Sequence, residues 1–283
     1  MGNIAFGTVG SPHSTPPKPG GSVGAIRQIT ALGLHALELG WVQAVRVTER
    51  TCEEIRAAAG DTGVAISVHA PYYINLNATD EEWPKSKKRL LDAATYGELA
   101  GATDIIFHPG AYLGHEPKDA LSVGIARLSE CREELDRRGV HVTLRPETMG
   151  KQGSLGTLDE TLSMSLAVEG VLPCIDFAHL HARTGNGSMN SKPEWKQALS
   201  VYAERLGPEA LGHLHVHLSG IAYGPRGEKN HLTFAEADLD WRAILETLLE
   251  MNCSGRILCE SPIMEQDALT LQRYWLEIGG ATP

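Results

Sequence analysis

A chain of 283 residues with 42% hydrophobic and 21% charged side chains has the make-up of a soluble globular protein, with length enough for one α/β barrel or for two smaller domains. Its formal charge of −10 argues against holding nucleic acid by bulk electrostatics, because phosphate backbones reward Lys and Arg, but leaves open a cleft in which dications supply the positive charge. Five cysteines without a CxxC, an N-terminus without a signal-like apolar core and the lack of a membrane-length apolar run lead to the expectation of a cytoplasmic protein with no membrane partner.

In chain order, the first strand-like run is IAFGTVG (4–10), followed by the Pro- and Gly-rich GSPHSTPPKPGG (10–21). That segment lies between the first strand and the helical pattern SVGAIRQITALGL, so it reads as a mouth loop and not as a linker. Further strand-like runs are ALELGW (36–41), VAISVHAP (64–71), DIIFHPG (104–110) and VHVTLRPET (140–148). SKKRLLDAATYGELAGA and LSVGIARLSECREELDRRG carry helical spacing between them, the second starting just after a Pro and ending in Arg-Arg-Gly. LPCIDFAH (172–179), HLHVHLSG (213–220) and RILCESP (256–262) complete the strands, and LDWRAILETLLEMN and EQDALTLQRYWLEIGG the helices. SGIAYGPRGEKNHLTFAEAD (219–238) reads as a long structureless loop, a kind of segment that is often functional. Eight strand–helix units in one chain of this size predict a single (β/α)₈ TIM barrel over 1–283. The competing doubly wound sheet lacks support, since no GxGxxG follows the first strand.

Polar residues fall at the C-terminal ends of six of these runs: His69, His108, Glu147, Asp176, His217 and Glu260. In a TIM barrel those ends ring one mouth, where active sites are built. One such residue would be an ordinary hydrogen-bonded group, but three carboxylates in one mouth repel each other unless cations hold them together. A His/Asp/Glu set without Cys suits zinc or manganese. In HLHVHLSG, alternate positions share a face. His217 is nearest the mouth and is the preferred ligand. His215, one pleat deeper, is its supporting donor or the true ligand, and His213 is expected buried in the barrel or hydrogen-bonded near its floor. His179, three residues after Asp176, and Glu228 and His231 in the 219–238 segment are further ligand candidates.

Taken together, HAPYYINL (69–76), FHPG (107–110), ETMGKQGSLGTLDE (147–160), CIDFAH (174–179), HLSG (217–220) and CESP (259–262) resemble the endonuclease IV family of apurinic/apyrimidinic endonucleases, within the xylose-isomerase-like group of TIM barrels. The resemblance runs from about 64 to 264 and implies a trinuclear zinc site. In that site His69 and His108 hold one metal and Glu147 bridges to a second. Asp176, His217 and Glu260 complete the second. His179, Glu228 and His231 hold the third. The family has Asp-x-His where this chain has Glu228-Lys229-Asn230-His231, one residue longer. Tyr72 and Asn75 match positions near the DNA. The family's basic, aromatic loop after the second strand is not evident in LELGWVQAVRVTE, where Arg46 is the only basic residue.

The implied activity is hydrolysis of damaged DNA 5′ to abasic sites by a monomer. Lys85, Lys87, Lys88 and Arg89 either hold phosphate or form a solvated helical turn. The rival within the same group is a single-metal sugar isomerase or epimerase. It uses Glu147, Asp176, His217 and Glu260, with Glu147 and Glu260 as the acid/base pair. His69, His108 and His231 discriminate, because one metal needs no histidines at adjacent strand ends. A zinc-binding scaffold without turnover is a third class that nothing in the sequence specifically supports.

Overall fold

Val, Ile, Leu and Phe dominate the strand runs, and such residues fit an extended chain buried on both faces. The computed structural model describes residues 2–283. The strands are β1 (Ile4–Val9), β2 (Ala36–Gly40), β3 (Ala65–His69), β4 (Asp104–Phe107), β5 (Thr143–Pro146), β6 (Cys174–Asp176), β7 (Leu214–Leu218), β8 (Gly220–Gly224), β9 (Gly227–Leu232) and β10 (Gly255–Cys259). Eight of them form a parallel sheet in the order β5-β4-β3-β2-β1-β10-β7-β6. The two ends of that order meet where Glu147 bridges Cys174 and Thr148 N donates to Cys174 O at 3.0 Å, so the sheet closes into an eight-stranded barrel. Each strand run read from the sequence coincides with one barrel strand, β10 starting one residue before its run, at Gly255.

The helices are α1 (Gly21–Ala31), α2 (Glu49–Thr62), α3 (Trp83–Leu99), α4 (Pro117–Arg137), α5 (Leu158–Ala167), α6 (Phe177–Arg183), α7 (Lys192–Leu206), α8 (Trp241–Glu250) and α9 (Glu265–Glu277). They cover the outside of the barrel and bury side chains such as Ile26, Ile29, Leu90, Trp195 and Trp275 against it. None among the described residues is long and apolar enough to cross a membrane. The start of α5 fixes the chain after β5. Thr157 accepts from Glu160 N at 3.1 Å, while the Glu160 carboxylate takes Thr157 N at 2.8 Å and Gly156 N at 2.9 Å. The capping box therefore ties down the segment that follows Glu147.

Two expectations change. The 219–238 segment is not structureless: β8 and β9 pair antiparallel around the tight turn Pro225-Arg226, which Gly227 closes at φ 98°. Gly and Pro there mark a hairpin turn. His213 does not join the inward face of β7. Its side chain is exposed at the end of a 3₁₀ turn (Pro208–His213), because the chain enters the barrel only at Leu214, while its carbonyl is hydrogen-bonded near the floor, accepting from Arg145 Nη2 at 3.0 Å.

The barrel floor carries an ionic network. Asp104 on β4 takes Arg145 Nε at 2.6 Å and lies 3.1 Å from Arg256 Nη2. Arg145 also donates to Pro173 O and His213 O, each at 3.0 Å. Burial alone would raise the Asp104 pKa, but Arg145 and Arg256 outweigh it and hold the carboxyl far below its usual range. Replacing Asp104 with Asn leaves two partly buried guanidiniums under-compensated, and a loss of about 3 kcal/mol in urea unfolding at neutral pH is expected. The depressed folded value means this stabilisation is complete above the unfolded carboxyl pKa of about 3.9 and fades as pH falls toward the folded value. The gap between wild type and Asp104→Asn should therefore narrow below about pH 4, and a gap independent of pH would rule out the charge as its source.

Candidate metal centre

Each polar strand end is placed by the barrel itself. His69 ends β3, Asp176 ends β6, His217 lies within β7, and His108, Glu147 and Glu260 follow β4, β5 and β10 by one residue. Closure of the sheet aims them at one point. Glu147 sits at its centre, fully buried. Its Oε2 faces His69 Nε2 at 3.3 Å and His108 Nε2 at 3.4 Å. Its Oε1 faces His179 Nδ1 at 3.0 Å and His217 Nδ1 at 3.6 Å.

Two potential ligand groups share Glu147. His69, His108 and Glu147 each offer a donor atom within 4.8 Å of the others, and so do Glu147, Asp176, His217 and Glu260. The His69 ring is set by its own backbone: Nδ1 lies 2.9 Å from Ala70 O, which leaves Nε2 as the free nitrogen on the Glu147 side. His179 is set likewise, with Nδ1 3.0 Å from Thr148 O and Nε2 3.5 Å from Glu228 Oε2.

The extra residue between Glu228 and His231 is absorbed by the hairpin. Ala222 pairs with Asn230 and Tyr223 with Glu228, so Lys229 has no partner and forms a bulge. Regular alternation would put residues three apart on opposite faces, but the bulge returns them to one face. Glu228 reaches His179, and His231 Nε2 lies 3.7 Å from Glu260 Oε2. Gly150 makes room for this, since a Cβ there would lie 2.5 Å from Glu228 Oε2 and 3.1 Å from the His179 ring. All nine residues assigned to metals by the resemblance thus converge at one mouth.

The charge pattern asks for cations. Both oxygens of Glu147, Oδ2 of Asp176, Oε2 of Glu228 and Nδ1 of His217 are buried without a hydrogen-bond partner. Buried acceptors normally have one, and several anionic ones side by side repel. In the metal-free chain protons do part of this work. Burial and the neighbouring Glu147 and Glu260 raise Asp176 to about 7 against the pull of His179. Burial lowers the His217 pKa, but Cys174, Glu38 and Glu260 lift it well above the usual imidazole range. His179 is lifted in the same way by Asp176 and Glu147. Divalent cations can replace those protons, and the oxygen and imidazole donors fit zinc or manganese.

Sequence reasoning missed Glu38. It lies on β2, wholly buried inside the barrel, with Oε2 2.9 Å from His215 Nε2 and Oε1 3.0 Å from His217 Nε2. The signal was a lone charged residue inside the apolar run ALELGW. His215 accordingly sits one layer below the mouth, against Glu38. Tyr72 stacks on His108 at 5.0 Å between ring centroids and is 46% exposed, so its ring forms part of the wall. Asn75 Oδ1 is committed to the loops, accepting from Asn77 N at 2.9 Å and Ala111 N at 3.3 Å. The basic row of α3 is mostly paired: Lys85 with Glu82, Lys87 with Glu130 and Lys88 with Asp92, each at 2.7 Å. Arg89 alone of the four reaches the cavity of ≈ 520 Å³ beside His108, which Tyr72, Tyr73 and Lys151 also line.

Residues 26–277 match the model of the family described as "Xylose isomerase-like TIM barrel". The chain belongs to that family. Among xylose isomerase-like relatives, an uncharacterized protein of Methanocaldococcus jannaschii is 34% identical over 97% of this chain and 98% of its own length. Endonuclease 4 of Thermus thermophilus is 29% identical over 91% of this chain and 94% of its own. The fold superposes on a crystal structure of endonuclease IV from Thermus thermophilus with a TM-score of 0.71 at 22% identity, covering 97% of this chain and 100% of that one. It also superposes on a D-tagatose 3-epimerase-like protein with a TM-score of 0.68 at 18% identity, covering 97% and 98%.

If Glu147 bridges two cations, exchanging one of its anionic oxygens for an amide should empty at least one position. Elemental analysis of protein purified without added metal or chelator is expected to give more than one divalent equivalent per chain, and at least one fewer for Glu147→Gln. An undiminished complement in that variant would dispose of the bridge.

Proposed function

We propose that the chain is a multinuclear metal-dependent phosphodiesterase that cleaves DNA 5′ to abasic sites, with zinc in two or three positions. The observation that carries this reading is Glu147, whose two buried oxygens lack hydrogen-bond partners and face different sets of imidazoles. A one-cation site needs only one of them. In this reading His69 and His108 hold the first cation with Glu147. Asp176, His217 and Glu260 hold the second with Glu147, and His179, Glu228 and His231 hold the third. Zinc supplies an activated water at neutral pH and positive charge opposite the phosphoryl oxygens.

The protein's own part is to bind and orient. Tyr72 and Tyr73 are exposed on the wall beside His108, and aromatic faces of this kind stack on bases. Burial, with Glu260 and Glu147, pushes the Tyr72 phenol up to about 12, so it stays a neutral hydroxyl. Arg89 is anchored by Tyr73 O at 3.2 Å and lines the same cavity as Lys151, so both lie where a phosphate next to the cleaved bond would pass. The likeness to Endonuclease 4 over nearly the whole chain supports DNA as the substrate.

A single-cation isomerase or epimerase is the second reading, because Glu147, Asp176, His217 and Glu260 form a complete four-residue group by themselves. His108 separates the two. A duplex carrying a reduced abasic analogue, which cannot break by β-elimination, should be cut by the wild type. His108→Ala should lower that rate at least about 100-fold, the upper end of the cost even for an outer partner of a metal ligand. Full nuclease activity without His108 would eliminate the first cation position, and epimerisation of a ketose without nuclease activity would transfer the assignment to the second reading.

The paired lysines of α3 lead to a further expectation. With Arg89 and Lys151 as the cations that line the cavity, Lys151 3.6 Å from Glu228 Oε1, the log–log salt dependence of DNA binding should have a slope of about −2. A slope of −5 or steeper would place an extended phosphate track elsewhere on the surface.

A further inference from the structure

The buried acid on β2 has no direct access to the cavity, yet it governs how one ring presents itself there. Among the described residues, Glu38 is the one carboxylate in the layer below the mouth that approaches both His215 and His217. It takes Ser67 Oγ at 2.9 Å from the directly paired position on β3, and His215 Nε2 at 2.9 Å across the barrel. His215 Nε2 points at the carboxylate, so Nε2–H is the donor of that contact. Two donors therefore already fix the Glu38 carboxylate before His217 is considered.

His217 has carboxylates at both nitrogens. Nε2 is 3.0 Å from Glu38 Oε1, while Nδ1 is 3.6 Å from both Glu147 Oε1 and Glu260 Oε2. The His217 Nε2–Glu38 Oε1 contact is close but not aligned as a hydrogen bond, and neither atom has another partner; a neutral ring carries one N–H, and Glu38 Oε1 is the nearer acceptor for it. His69 is arranged the other way round, with Nδ1 on Ala70 O and Nε2 free. The centre thus calls for opposite tautomers from two of its imidazoles, and each is set by a partner outside the cavity.

We propose that Glu38 is a positioning residue: it holds His217 as the Nε2–H tautomer and so turns the Nδ1 lone pair into the space shared with Glu147, Asp176 and Glu260. The inference rests on the cation-binding reading above only for its functional consequence. The tautomer itself is a property of the chain. Carboxylates placed at the outer nitrogen orient metal-binding imidazoles, and their loss costs about 10–100-fold in affinity. Glu38→Gln keeps the shape but can accept with only one oxygen, and its amide can turn an N–H toward the ring and reverse the tautomer.

The test is a long-range ¹H–¹⁵N spectrum of histidine-labelled protein. It is recorded on the zinc-loaded chain and on the chelator-stripped chain at a pH alkaline enough to keep the rings neutral. The Nε2–H pattern is expected for His217 in wild type and its loss in Glu38→Gln. In zinc titrations one binding step should weaken about 10–100-fold in Glu38→Gln with the others unmoved. A wild-type His217 in the Nδ1–H form overturns the proposal without any variant. So does a folded Glu38→Gln protein that keeps both the tautomer and the zinc profile of wild type, even if its Tm falls, since that is what a merely structural acid would give. Wild type that takes up no zinc defeats the cation reading, and the tautomer of the stripped protein still decides the role of Glu38.

Discussion

Closing an eight-stranded barrel forces its strand ends to converge, and here three of them deliver carboxylates, Glu147, Asp176 and Glu260, to nearly the same point. Water is largely excluded, so their repulsion is weakly screened. Every nearby feature answers to that constraint. The imidazoles of His179 and His217 take up protons against the cost of burial, Asp176 gives up its charge near neutrality, and the unpartnered oxygens of Glu147 lie between two sets of histidines. The same pressure that would destabilise an empty mouth favours the binding of dications there, as the proposed reading requires.

The two ends of the barrel solve the problem of buried charge differently. At the floor, Asp104 is matched by two guanidiniums and by backbone carbonyls that use up their donors. That network is closed and belongs to stability. At the mouth the positive partners are imidazoles, which can release protons, and acceptor atoms are left over. The network is open. The division follows the usual one in this fold, with structure at the N-terminal face and function at the C-terminal face.

Much of this was legible in the sequence. The eight strand runs, the barrel and the six polar strand ends all follow from local pattern, because a ligand one residue beyond an apolar run marks where a strand leaves the core. Helices α5, α6 and α7 lack a clear helical stripe, and in α2 the stripe of Cys52, Ile55 and Ala58 is set in a charged segment that masks it. Glu38, Arg145 and Arg256 lie inside strand runs, where an acid or base looks like an outward residue of an alternating strand until the barrel is closed around it. The Glu228–His231 pair is visible, but not its facing, because a bulge depends on pairing with a partner strand twelve or fewer residues away whose own sequence reads as loop.

That bulge also bears on how such chains are recognised. Side-chain direction along a strand is a phase that advances by half a turn per residue, and Lys229 is a phase slip. Two residues can then keep a common target while their separation in sequence changes by one, provided the backbone slips by the same amount. A search that insists on a fixed spacing between an acid and a histidine measures chain length, when the quantity that fixes a common target is phase. Chains whose hairpins have slipped in this way would be passed over by such a search, although they place the same two atoms at the same mouth.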